Sequence, residues 1–189
     1  MANTAVIVLD LQAGILDMVK DHIDAEFLPR TALTLAAARK ANIPIIQITT
    51  SFRPGFEDAM PQYKNNTQLK ESGKLTDGSP EVQLHSIIGA DAANDLHVKK
   101  TRVSALFGTN VDSMLRNNDI TNVVLAGIAT SGAVLSTTRA ASDMDYTITV
   151  LSDLCADRDP DVHQILIGKV LPKQAELITA EEWVAKISQ

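Results

Sequence analysis

A single cysteine, Cys155, leaves this 189-residue chain without an intramolecular disulfide or a CxxC pair for redox chemistry or zinc. The four histidines, His22, His85, His97 and His163, stand far apart, with no HxH or HExxH spacing to bring two imidazoles to one ion, so no metal is expected. No GxGxxG follows the first apolar run, so a dinucleotide cofactor lacks its fingerprint and none is expected. There is no basic excess either. The formal charge is −6 and the lysines and arginines are scattered, which argues against nucleic acid as a partner. The opening MANTAVIVLDLQ has no basic segment before its apolar run, and Asp10 breaks that run far short of a bilayer-spanning length. A cytoplasmic protein with no membrane partner is the expectation.

What is present is an ordinary globular composition, 45% apolar and 21% charged, in a chain long enough for one compact domain over residues 1–189. Thr4 to Leu9 and Ile43 to Thr49 are short runs rich in β-branched residues, as strands covered on both faces should be. Between them, Pro29 to Lys40 carries strong helix formers, with Pro in the opening turn and Arg39 and Lys40 at the carbonyl end, where positive charge suits the macrodipole. The alternation continues with strands at Leu96 to Lys100, Val123 to Gly127, Thr147 to Leu151 and Glu176 to Thr179. Helices are predicted at Gly108 to Asn117, Ser131 to Met144, Pro160 to Val170 and Ala180 to Ile187. Six strands alternating with helices predict an α/β fold, a three-layer α/β/α Rossmann-like sandwich on a six-stranded parallel sheet. Phe52 to Ala93 breaks the rhythm with Pro54, Pro61 and Pro80 and reads as a long loop, of the length that makes lids and binding loops.

In an open α/β sheet, ligands bind beyond the carboxyl ends of the strands, where the strand order reverses. That rule nominates Asp10 after the first strand, Lys100 at the end of the third, and the turn from Gly127 to Thr130 after the fourth. Asp10 would stand at the mouth of a partly dry cleft as a general acid or base, or else merely accept hydrogen bonds in the next turn. Of Lys99 and Lys100, strand alternation aims only one inward; the pair could equally be one exposed and one stem-buried lysine, the usual fate of such a pair. In GIATSGAVLSTTRAASD, the small residues from Gly127 to Ala133 allow close backbone approach where a helix begins, suiting an oxyanion or carboxylate. Close packing of helix on sheet is the plainer account.

These residues resemble the isochorismatase-like hydrolases, or cysteine hydrolase family, which includes isochorismatases, nicotinamidases and N-carbamoylsarcosine amidases. The resemblance covers nearly the whole chain: VIVLDLQ, DGSPEVQLH, VKKTRVSALFGTNVDSMLR and LAGIATSGAVLSTTRAASDMDY occur in the family's order. It implies that Asp10 is the acid/base, Lys100 the lysine, and the amides of Ala129 and Ala133 an oxyanion hole, with a cis peptide between Ile128 and Ala129. Gln12, Phe52 and Arg53, with Phe56, join Ile128 and Ala129 as candidate substrate contacts around a small-molecule substrate.

The family's nucleophilic cysteine falls on Ala133, whose methyl group cannot attack a carbonyl. Cys155 lies beyond that slot and reads as a buried, inert thiol. Thr130, Ser131 and Ser136 offer hydroxyls, but no histidine stands near them in sequence to activate one. Isochorismatase members resemble this chain in having a small residue there, and they cleave a vinyl ether by protonating carbon, so acid-catalysed hydrolysis is one expectation. A binding or scaffold protein without turnover is another, and a Cys-to-Ala form of a C–N amide hydrolase a third. The nicotinamidase branch binds metal after its second strand, but TTSFRPGFEDAMPQY has no histidine. Family members commonly form dimers or tetramers, so a homodimer or homotetramer is expected.

Overall fold

The fold is seen in a computed structural model that describes residues 3–59, 64–89 and 92–188. The chain opens with β1 (Thr4–Leu9), α1 (Ala13–Asp17), α2 (Phe27–Lys40) and β2 (Ile45–Thr50). α3 (Lys64–Ser72) and α4 (Ser86–Gly89) precede β3 (Leu96–Lys100) and α5 (Val111–Asn117). Next come β4 (Asn122–Ile128), a π-helical turn at Thr130–Val134, α6 (Leu135–Asp143) and β5 (Thr147–Ala156). α7 (Pro160–Ile165), a second π-helical turn at Leu166–Val170, β6 (Glu176–Ile178) and α8 (Ala180–Ile187) complete it.

The six strands form one sheet in the order β3-β2-β1-β4-β5-β6, all parallel, with the order reversing between β1 and β4. Every residue of β1 is buried because both faces of the sheet are covered. Ala5, Ile7 and Leu9 pack in one core with Val111 and Leu115 of α5 and Ala141 of α6. Val6 and Val8 face the opposite core, with Leu35 and Ala38 of α2 and Trp183 of α8. Each large aliphatic side chain so buried contributes about 1.5–3 kcal/mol. The α/β/α sandwich expected from the alternation is therefore the observed fold.

Several boundaries differ from those expected. α2 starts at Phe27, which leaves Pro29 inside the first turn, where its missing N–H forgoes no helical bond. β2 starts at Ile45 because Pro44 supplies only its carbonyl, to the Val6 amide. β5 continues to Ala156, five residues past the expected end. Its register against β4 slips between Leu125 and Gly127, so Leu125 pairs with Val150 but Gly127 with Cys155. That irregularity holds the polar Ser152 and Asp153, and Asp153 uses its carboxylate on Arg30 and the Ala180 amide. β6 stops at Ile178 because Thr179 caps α8 in a reciprocal box with Glu182.

Phe52 to Ala93 is not loop throughout. It contains α3, α4 and a short 3-10 turn at Pro80–Val82, and it runs into another at Ala92–Asn94. α3, KNNTQLKES, has a single apolar residue, Leu69, so no apolar period announces it. Pro61 lies outside the described residues. Phe52, Phe56 and Leu75 form a small apolar cluster apart from the two main cores.

Candidate active site

The site sits at the carboxyl ends of the strands beside the reversal of strand order. Asp10 leaves β1 in the left-handed region, with φ of 55°, a conformation Asp tolerates better than most residues. Its carboxylate is buried, and Lys100 Nζ lies 2.8 Å from Oδ2, the side chains being 3% and 6% exposed for lysine and aspartate. The parallel register sets Thr50 beside Lys100. Thr50 Oγ1 donates to Asp10 Oδ1 at 2.9 Å and accepts from Lys100 Nζ at 2.7 Å, closing a triangle of three side chains. Lys99 points away and pairs with Asp77 at 2.6 Å, as strand alternation requires.

Across from the triangle, the last residue but one of β4 is Gly127, whose φ of 126° brings its Cα against β1: a Cβ built there would overlap the Leu9 carbonyl oxygen. The peptide between Ile128 and Ala129 is cis. The bend that follows carries Ala129 and Ala133, and both line the same cavity as Asp10, Thr50 and Lys100. That cavity holds about 210 Å³, walled by apolar side chains that include Ile15, Met18, Phe52, Leu69 and Leu75. Two arginines, Arg102 and Arg158, also line it. Arg102 is anchored by Nη1 to the carbonyls of Asp58 and Thr101, both at 2.9 Å.

Of the residues singled out in the sequence, Asp10, Lys100, Ile128, Ala129, Ala133 and Phe52 come together around the cavity. Gln12 does not. It is fully buried, its Nε2 donates to the carbonyls of Thr50 at 2.9 Å and Val82 at 3.0 Å, and its Oε1 accepts from the Thr50 amide at 2.7 Å. With those groups engaged it is a structural clamp rather than a substrate contact. Arg53 is exposed and absent from the lining, because Phe52 before it turns inward and consecutive residues of an extended segment face opposite sides. Phe56 stacks on Phe52 at 5.2 Å between ring centres and so stands behind the wall.

Sequence reasoning missed Thr50, Arg102 and Arg158. All three follow the strand-end rule, applied to β2 and to the segments just beyond β3 and β5. It also missed a histidine partner for the hydroxyls: His163 of α7 places Nδ1 2.8 Å from Thr130 Oγ1. Burial holds the His163 imidazole below its ordinary pKa, against the opposing charge of Asp157. Asp157 itself accepts the Ser131 amide at 2.6 Å. Thr130 is fully buried, and none of Thr130, Ser131 and Ser136 lines the cavity, so this pair fastens the bend to α7 rather than supplying a nucleophile.

Cys155 is buried in β5 next to Gly127, and desolvation pushes its thiol up to about 12. Native protein at pH 8 is expected to incorporate no iodoacetamide over hours and one equivalent after unfolding, by intact mass. Rapid labelling of the native chain would contradict an inert thiol.

Comparison with known proteins agrees with this fold. The family described as the isochorismatase domain matches residues 4–182. A probable inactive nicotinamidase of Arabidopsis thaliana is 26% identical over 98% of this chain and 97% of its own length. A ureidoacrylate amidohydrolase of Pseudomonas savastanoi is 30% identical over 86% of this chain and 74% of its own. Among solved structures, an isochorismatase family protein of Burkholderia thailandensis superposes with a TM-score of 0.84 at 26% identity, covering 99% of this chain and 96% of that one. With a match over nearly its whole length and the fold in common, the chain belongs to the isochorismatase family of hydrolases.

Proposed function

We propose that this protein is a hydrolase of a small, carboxylate-bearing molecule that works without a covalent enzyme intermediate, Asp10 moving the proton and water supplying the oxygen. The observation that carries the reading is the buried Asp10–Lys100–Thr50 triangle on the same cavity as Ala133, the residue that the resemblance sets at the family's cysteine position. A cavity of about 210 Å³ suits a metabolite smaller than the ligands of ordinary pockets of roughly 300–1,000 Å³. Arg102 and Arg158 line that apolar space besides the paired Lys100, and two cationic residues on its wall favour an anionic group on the substrate.

Two bonds suit this arrangement. In acyl cleavage, Asp10 takes a proton from water, the hydroxide adds to the carbonyl, the Ala129 and Ala133 amides receive the oxyanion, and the proton passes to the leaving nitrogen. Acceptance of hydrogen bonds at both Asp10 oxygens favours this route, since the resting carboxylate is arranged as a base. In vinyl ether cleavage, the proton goes to the terminal alkene carbon, water captures the cation, and the hemiketal collapses to a carbonyl and an alcohol. The small residue at position 133 favours that route, because it needs no nucleophile.

The test is a panel of carboxylate-bearing vinyl ethers, amides and carbamoyl compounds followed by NMR, with and without iodoacetamide. The expected result is turnover of one class, unaffected by the alkylating agent. Binding of panel members without turnover of any would replace the enzyme reading with that of a binding protein. Ala133→Cys is expected to create one rapidly alkylated site in the native protein, read by intact mass. If it stays unlabelled, position 133 does not face the cavity as a nucleophile would.

A further inference from the structure

Lysine ammonium only donates hydrogen bonds, whereas a threonine hydroxyl has one hydrogen to give and lone pairs to accept with. Because Lys100 Nζ donates to Thr50 Oγ1, the single Thr50 hydrogen is directed to Asp10 Oδ1. Asp10 is thus held at both oxygens, by Thr50 at Oδ1 and Lys100 at Oδ2, which fixes the plane of the carboxylate against the cavity. The threonine is itself held through its backbone: Gln12 accepts from its N–H and donates to its carbonyl, while the same Gln12 amide donates to Val82 in the segment after α3. A fully buried side chain with these bonds ties the end of β2 to the segment after β1 and to the turn at Val82.

We infer that Thr50 is a positioning residue of the reaction: beside the direct Lys100–Asp10 contact, it bridges the two groups through one oriented hydroxyl and sets the direction in which Asp10 exchanges its proton. This rests on the hydrolytic reading above. The arrangement needs a hydroxyl at this position, and only the hydroxyl; the threonine methyl has no part in it.

Thr50→Val keeps the branched shape and strand fit while removing both hydrogen bonds, and Thr50→Ser keeps the hydroxyl. Thr50→Val is expected to lower kcat by about 10²-fold, the scale of a reacting group displaced by an ångström. KM is expected to stay within about twofold, as for an interaction made in the transition state. Thr50→Ser restores kcat to within a few-fold. A substrate-free readout accompanies these: the Lys100 ammonium resonance in 1H–15N NMR, protected from exchange by its two partners, is expected in the wild type and in Thr50→Ser and lost in Thr50→Val. If Thr50→Val does not fold, Thr50→Ala is measured the same way.

Survival of the ammonium resonance and of kcat in the hydroxyl-free variant, while Asp10→Asn abolishes turnover, overturns the role of Thr50 and leaves the hydrolytic reading intact. Turnover that persists in Asp10→Asn overturns the hydrolytic reading instead, and the Lys100 resonance still decides whether Thr50 holds the lysine.

Discussion

Asp10→Asn is expected to lower turnover by about 10²–10⁴-fold, the usual contribution of a positioned acid or base. The same substitution should also cost stability. It leaves Lys100 charged, buried and without its counter-ion, and breaking one side of such a pair costs about 3–5 kcal/mol. Loss of activity alone would therefore be ambiguous. Pairing Asp10→Asn with Lys100→Met removes the stranded charge together with its partner, and replacing both members of a buried pair is often neutral or stabilising. The double variant should regain most of the lost stability in urea unfolding while staying inactive. If the double variant is no more stable than Asp10→Asn alone, the two charges are not coupled as the 2.8 Å contact implies. If it recovers both stability and turnover, the proton passes through another group.

Gly127→Ala is expected to be the most destabilising single substitution in the sheet. At φ of 126° an L-residue is strained whatever space surrounds it, and here the added Cβ would overlap the Leu9 backbone rather than a movable side chain. Relief requires β4 to move off β1 at the reversal of strand order, with loss of ladder bonds and of packing on both faces. A cost above about 4 kcal/mol is expected. For a chain of this size each kcal/mol lowers Tm by about 2–4 °C, so thermal unfolding should fall by at least about 8 °C. The neighbouring bend carries Ala129 and Ala133, so any folded fraction should also lose affinity for an anionic substrate. A variant as stable as the wild type would mean that β1 and β4 are not in this close contact. By contrast, Gly108, also at positive φ but with open space around it, should pay only the conformational penalty.

The fold was legible because its signals are local. β-branched runs such as TAVIVL and IIQITT, separated by helix formers with charges suited to their ends, give strand–helix alternation, and the alternation alone implies a parallel sheet. Asp10 and Lys100 were legible as strand ends. α3 was not, because KNNTQLKES has a single apolar residue and so no period, and the end of β5 was not, because its irregular register hides polar residues inside a strand. Arg53 and Gln12 misled for one shared reason: each lies next to a strand end in sequence, and proximity in sequence does not say which way a side chain points.

The amino-acid sequence by itself determined the class of fold, the family and the absence of a thiol from position 133, since each is carried by residue identity and order along the chain. Only the tertiary structure decided which groups meet: Thr50 with Asp10 and Lys100 across three strands, Arg102 and Arg158 on one cavity, His163 on Thr130. Those meetings depend on strand register and on the reversal of strand order between β1 and β4, and register is set by packing between segments far apart in the chain, which no single stretch of sequence contains.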